Sequence, residues 1–532
     1  MLYWALLCCK DAGSVIARTN LTRISMQNDV IEQWKQLDEQ ALAGGGNARA
    51  QRQHALGKKT ARERLALLLD PSSFFEIDRL ATSPFLEAPV PTDGVIAGFG
   101  TIKGRKVAVY AQDFTIKGGS LGKRHAEKIC KVMDLAVKIG CPIIGIIDSG
   151  GARIDEGIHA LAGYGQIFRR NCQYSGVVPQ LSIIVGPCAG GAVYSPAITD
   201  VVFMTKDISQ MFITGPQVIA EVLHQQVTKE ELGGITAHGT RSGVAHVVCA
   251  TEDDCFAALE ELLGYLPDSY LDQPTVRQAE TASHATVPAI PDTPNAPYNI
   301  KDVITSIVDE PFFELHAGFA TNIVTCLARI DGRTVGIVAN QPLVMAGCID
   351  IDASCKAARF IRFCDSFNIP IVTLVDTPGY LPGVEQEHDG IIRHGAKLLY
   401  AYATATVPKV TVVLRKAIGG AYIVMGSKEL GADINLAWPT AQIAVLGAKA
   451  GVTIVHGKQL ALLSAQDRLL QEQSLEDSYT DQFLHPLTAA QYGYIDAIIE
   501  PAETVNAIAR ALRLTADKVE KLPLRKHGNM PL

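Results

Sequence analysis

IIVGPCAGGA (residues 183–192) and VVLRKAIGGA (residues 412–421) are one local design written twice. Each is an apolar run suited to a buried strand, followed by Gly-Gly-Ala and the start of a helical stretch. The likeness extends outward from both. VAVYAQDF at Val107 pairs with VGIVANQP at Val335. CPIIGIIDSGG at Cys141 pairs with IPIVTLVDTPG at Ile369 at the identical offset. VPQLSIIV at Val178 pairs with VPKVTVVL at Val407, with the offset longer by a single position. One Gly-Gly match would mean little, but four segments that keep register mark a duplication. A period this long is that of a domain, not of a solenoid repeat. Within a copy, strand-like runs (107–110, 142–147, 181–185) alternate with a helical stretch from His125 to Ile139. That alternation implies βαβ units. The fold expected is α/β, as two tandem homologous domains.

The boundaries follow from changes of character. Residues 29–68 carry helical periodicity, interrupted at the glycines of residues 43–47. Residues 269–299 are polar and punctuated by Pro274, Pro288, Pro291, Pro294 and Pro297, which suits a linker. The division is therefore an N-terminal extension over 1–28, a first domain over 29–285 and a second over 286–532. Residues 1–25 hold a short apolar run, few arginines and one acid, Asp11. They read as an upstream extension before Met26, which would leave the protein cytoplasmic. The alternative is a transit peptide and the mitochondrial matrix.

Composition removes several function classes. Hydrophobic residues at 48% and charged residues at 19% suit a globular enzyme. A net charge of -7 disfavours nucleic acid as partner, and 6% aromatics disfavour a base-stacking platform. No apolar run approaches a membrane span. The 12 cysteines show no CxxC pair and no zinc spacing, so they read as buried reduced thiols, with no metal expected.

The chemistry is expected in the repeated turn. Glycines between a strand and a helix let backbone N–H groups point into a cleft, and the helix adds its positive end. Gly190, Gly191 and Ala192, and likewise Gly419, Gly420 and Ala421, are thus candidate anion or oxyanion donors. A lone Gly-Gly pair would more simply allow close helix–strand packing, and recurrence tips the reading toward function. Asp148 and Asp376 end strand-like runs and read as helix or turn caps. His238, His246, His388 and His394 lack metal spacing and read as structural or surface residues. With no GxSxG, HExxH or P-loop pattern, backbone donors are left to carry the catalysis.

At this point the residues show a resemblance. The duplicated Gly-Gly-Ala units are similar to the crotonase superfamily. More specifically, DSGGARIDEG at Asp148, GPCAGGAVYSPAITD at Gly186, ANQPLVMAGCIDIDASCKAARF at Ala339 and DTPGYLPGVEQEHDGIIRHGAKLLYAYA at Asp376 resemble the carboxyltransferase (β) subunits of biotin-dependent propionyl-CoA and acetyl-CoA carboxylases. The resemblance runs from about Lys58 to the end. It implies transfer of a carboxyl group from carboxybiotin to the α-carbon of a short acyl-CoA through an enolate. It implies a biotin side in the first domain (Gly190, Gly191, Ala192) and an acyl-CoA side in the second (Gly419, Gly420, Ala421), with Tyr422, Ile423, Ala152 and Arg153 contacting substrate. The partners implied are a biotin carboxylase and biotin carboxyl carrier on a separate chain, since no Ala-Met-Lys-Met attachment sequence is present. The assembly implied is a homo-hexamer with sites between subunits. Methylmalonyl-CoA decarboxylase α subunits and transcarboxylase cores share these motifs, and a decarboxylase would add a membrane partner. Ile423 stands two residues after Gly-Gly-Ala, where propionyl-CoA-preferring relatives usually carry Asp. That change implies an apolar acyl pocket open to acetyl-CoA as well.

Overall fold

The computed structural model describes residues 28–88, 90–277, 290–291, 293 and 295–531. The N-terminal segment 1–27, with its Met1 or Met26 start, and the division at 285/286 lie outside the described residues.

Two eight-stranded sheets carry the chain, and they repeat strand for strand. The first runs through Phe75–Ile77, Val95–Ile102, Arg105–Gln112, Ile143–Ser149, Gln180–Ala189, Val201–Thr205 and Val247–Cys249. The second runs through Phe313–Leu315, Ile323–Ile330, Arg333–Asn340, Ile371–Thr377, Lys409–Ile418, Ile434–Ala437 and Ala497–Ile498. In each, the first three strands pair antiparallel and the rest parallel. The eighth strand, Gln210–Phe212 or Gln442–Ala444, leaves this path and pairs with the end of the longest strand, beside Gly-Gly-Ala. Even a register shift recurs, between Ile147 and Ser149 and between Val375 and Thr377. The expected α/β duplication, crotonase-like in each half, is what the chain adopts.

The central strands Ile143–Ser149 and Ile371–Thr377 are buried at every position, which explains their unbroken apolar text. Helix Lys123–Ile139 packs on the first sheet and ends at Gly140 in the left-handed conformation; its counterpart Ile351–Ser366 is capped by the Asp350 side chain on Ala353 N–H. Each of these helices buries a lysine, and the two occupy equivalent positions of the repeat. The Lys128 ammonium donates to the carbonyls of Thr92 and Val95 at 3.0 and 2.6 Å. Lys356 donates to His316, Phe319 and Ile323 at 3.0, 2.8 and 2.7 Å. Burial pulls their pKa values down to about 8 and about 7. Neither burial is legible in the sequence, because a lysine inside a helix ordinarily faces water.

The halves meet at a ring pair, His246 and His316, with centroids 4.2 Å apart and planes tilted by 39°. Arg359 of the second half donates to His246 Nε2 at 3.1 Å and to the Thr199 carbonyl at 2.7 Å. Burial, aided by nearby Lys356 and Arg359, drives the His316 pKa from 6.5 to about 3. The unfolded chain therefore binds a proton that the folded chain refuses between those limits, and stability falls as pH drops below 6.5. The loss between pH 7 and pH 5 is expected to be about 2 kcal/mol from this residue. Urea unfolding at the two pH values, on the parent and on His316→Gln, checks it: the variant's pH dependence becomes shallower, and equal slopes would remove His316 as the cause.

Among the described residues no helix is long and apolar enough to cross a membrane.

Candidate active site

Each Gly-Gly-Ala sits where its sheet delivers a strand end to a short helix. Gly190 and Gly419 both have φ 61°, a conformation that a side chain at either position would strain. After them the chain turns into Gly190–Val193, of 3-10 type, and helix Gly420–Val424. The leading N–H groups of a helical turn have no partner within it. In the second half those are Gly420 and Ala421. Gly419 is not a donor, because its N–H is spent on the Ala444 carbonyl at 2.8 Å. Gly419 thus supplies the turn rather than a hydrogen bond, which corrects the expectation of three donors there.

Loops from neighbouring strands fit against these turns. Gly151 has φ 102°, and a Cβ on it would lie 2.8 Å from the Ala189 carbonyl. Ala152, half-buried, bridges in parallel to Leu121, as Tyr380 does to Ile349 in the second half. Arg153 does not reach a substrate. It is 2% exposed, and its Nη1 donates to Asp93 and Glu156 at 2.6 and 2.8 Å. Nη2 donates to the carbonyls of Asp93 and Ser120 at 3.1 and 2.9 Å. It is a strut for the loop, not a contact residue, which corrects its expected role.

The aspartates are not caps either. Asp148 is fully buried, with Oδ1 taking Lys58 Nζ at 2.7 Å and Oδ2 taking Arg64 Nη1 at 2.9 Å. Burial pushes its pKa up against the pull of Arg64 and Lys58. Asp376 accepts Arg415 Nε at 3.0 Å and the Lys416 N–H at 3.2 Å. Arg415 aligns with Gly186 of the first half when the two Gly-Gly-Ala units are superposed. A Cβ at Gly186 would lie 2.0 Å from Asp148 Oδ1. The two halves thus neutralise equivalent aspartates from different elements: the strand itself in the second, helix Ala61–Leu68 with the preceding Lys58 in the first. No local pattern in the sequence joins Arg64 to Asp148, which is why capping looked simpler.

A cavity of about 580 Å³ opens on the second turn. Gly419 and Gly420 form one wall, and Tyr422, Ile423, Ile443, Val445, Phe483 and Tyr492 supply a mostly apolar lining. The Tyr422 hydroxyl bonds Glu429 at 3.1 Å. Ile423 is 44% exposed and faces this space. Apolar walls beside the Gly420 N–H suit a ligand whose carbonyl oxygen gains charge while its carbon skeleton stays apolar. Tyr422 and Ile423 were expected from the sequence, but Phe483 and Tyr492 were not, since Phe483 ends the distant helix Ala465–Phe483 and Tyr492 lies in the turn after Pro486–Gln491. Among the described residues no group of three or more His, Cys, Asp or Glu could hold a metal ion. His246 is buried at the junction of the halves, and His394 bonds Cys355 at 3.1 Å.

A duplicated crotonase-like unit with a backbone donor turn in each half defines a class, and comparison places the chain within it. Residues 52–530 match the Carboxyl transferase domain, so the chain belongs to the carboxyl transferase family. It is 53% identical, over 93% of its length and 94% of the relative's, to a propionyl-CoA carboxylase beta chain of Saccharopolyspora erythraea. It is 52% identical, over 92% of its length and 96% of the relative's, to a methylmalonyl-CoA decarboxylase subunit alpha of Veillonella parvula. Among solved structures it superposes on the transcarboxylase 12S hexamer with methylmalonyl-coenzyme A bound. There the TM-score is 0.91 at 48% identity, covering 94% of this chain and 98% of that one.

Proposed function

We propose that the chain is the carboxyltransferase subunit of a biotin-dependent acyl-CoA carboxylase acting on propionyl-CoA, acetyl-CoA or both. The observation that carries this is the start of helix Gly420–Val424, where Gly420 lines the apolar cavity and the buried Ala421 follows it. Carboxybiotin, carried on a partner chain, would supply the carboxyl group and then the base for the α-proton. The work of this chain is to hold the thioester carbonyl against Gly420 and Ala421, so that enolate charge develops toward fixed donors. The apolar lining excludes water from the carbanion face. The first turn, with Gly190, Gly191 and Ala192, shares the φ of 61° at its leading glycine and serves the ureido oxygen of biotin.

Exposed apolar side chains support sites shared between subunits. On Ala448–Leu460 and Ala465–Phe483, Ile454, Val455, Leu469 and Leu470 are each about 70% exposed. A face of this kind is normally covered, consistent with a hexamer like that of the transcarboxylase relative. The compartment would be the cytoplasm, or the mitochondrial matrix if residues 1–25 direct import.

The reverse direction, toward biotin, is the second reading, favoured by the likeness to the decarboxylase subunit. Supplying the purified chain with free biotin and either malonyl-CoA or methylmalonyl-CoA tests the chemistry: loss of the carboxylated thioester is expected. Absence of turnover with both, even after adding a biotin carrier, would overturn the assignment. Carboxylase and decarboxylase are then separated by which partner co-purifies, a biotin carboxylase or a membrane subunit.

Acyl preference tests Ile423. A methylene in such a pocket is worth about 1–3 kcal/mol, or roughly 10–200-fold. Ile423→Asp is expected to shift the ratio of kcat/KM for propionyl-CoA over acetyl-CoA toward propionyl-CoA by about tenfold. An unchanged ratio would remove Ile423 from the specificity argument.

A further inference from the structure

A second cavity, of about 330 Å³, lies between the halves and shares no lining residue with the apolar one. Its walls carry three cations, Arg359, Arg362 and Lys397. Their partners are unusual. Arg362 donates to the Met530 sulfur at 3.7 Å, and Lys397 to the Cys355 sulfur at 3.8 Å. Arg359 donates to His246 and the Thr199 carbonyl, both neutral. Among the described residues none of the three makes a carboxylate ion pair. The wall holds one acid, Asp200, whose Oδ2 accepts the Gln180 N–H at 2.8 Å. Three cations about one space, bonded only to sulfur, imidazole and carbonyl and faced by a single acid, leave a net positive potential. Sulfur is a weak acceptor, so an incoming oxyanion would replace poor bonds with charge-assisted ones.

We propose that this cavity binds a small phosphate-bearing anion. Two guanidinium groups and an ammonium match the charge and the several oxygens of a phosphate or pyrophosphate. The volume is at the lower end for ligand pockets, which suits such a group better than a whole cofactor. The phosphate has two possible sources, a free phosphoanion or the phosphate tail of a nucleotide thioester. Because Arg359 links Thr199 and His246 to the second half, occupancy would reinforce the junction of the halves.

Cys355 on the cavity wall provides a local readout, with exposed Cys172 as internal control. The oligomeric protein is treated with iodoacetamide at constant ionic strength, with inorganic pyrophosphate, with coenzyme A, or with chloride alone. Alkylation of the Cys355 and Cys172 peptides is followed by mass spectrometry, and pyrophosphate affinity by calorimetry. Pyrophosphate is expected to slow Cys355 alkylation several-fold while leaving Cys172 unchanged. In the double variant Arg362→Gln, Lys397→Gln its affinity is expected to fall at least about tenfold. Protection by coenzyme A but not by dephosphocoenzyme A would identify the thioester tail as the source; protection by pyrophosphate alone would identify a free anion. Equal alkylation in pyrophosphate and chloride, or an affinity that the double variant leaves unchanged, would overturn the site. Circular dichroism and the size of the assembly show that the double variant is folded.

Discussion

Gly420→Pro is expected to lower kcat by about 10²–10³-fold while the protein stays folded. Gly420 opens the helix Gly420–Val424, and the first helical position is where proline is best tolerated. A Cβ there meets nothing closer than the Tyr380 ring at 3.9 Å, an ordinary contact. The substitution therefore removes one N–H and sets the ring Cδ in the place of its hydrogen. The loss belongs in kcat more than in KM, because the donor strengthens its bond as enolate charge develops. Gly420→Ala is the matched control. It adds the same first carbon but keeps the N–H, and near-parent turnover is expected. The measurement is initial-rate kinetics with biotin and methylmalonyl-CoA on both variants, with circular dichroism to show the fold intact. If the proline variant keeps more than about a third of the parent kcat, Gly420 is not an oxyanion donor. Ala421 would then have to carry the stabilisation alone.

The sheets and the two turns were legible because their signals are local. An apolar run such as residues 142–147 and a glycine pair each act within a few residues, and duplication doubled the signal. What stayed illegible was pairing across long sequence distances. Asp148 and Asp376 stand alone in the text, and their partners Arg64 and Arg415 lie 84 positions before and 39 after them. Arg153 was expected at the substrate from the family resemblance alone. Its guanidinium turns inward to Asp93, 60 positions away. The donor count at the second turn was also out of reach, since it depends on the Ala444 carbonyl in a strand that pairs off the main path. The apolar wall was half visible, because Tyr422 and Ile423 follow the motif whereas Phe483 ends a helix much further along the chain.

Arg64→Met is expected to destabilise the chain by about 3–5 kcal/mol, the cost of removing one partner from a buried ion pair. Arg64 is 1% exposed and serves two carboxylates. Its Nη1 meets Asp148, and its Nη2 and Nε meet Glu252 at 2.8 and 3.0 Å. Methionine fills much of the same volume, so the loss reports charge rather than a cavity. Lys58 stays to hold Asp148, but Glu252 loses its guanidinium partner while only 3% exposed. The double variant Arg64→Met, Glu252→Gln should then lose less than the sum of the two single changes, because the second removes the stranded charge. Urea midpoints at one fixed protein concentration make the comparison, since assembly shifts apparent stability. Additive losses would mean that Arg64 acts through packing alone. A coupled result carries a consequence for the active site. Asp148 stands at the end of strand Ile143–Ser149, and the next loop, through Gly151, closes against Ala189 beside the first turn. Arg64 would then be the pin by which helix Ala61–Leu68 fixes the first donor turn, and carboxyl transfer by the single variant should fall further than its folded fraction.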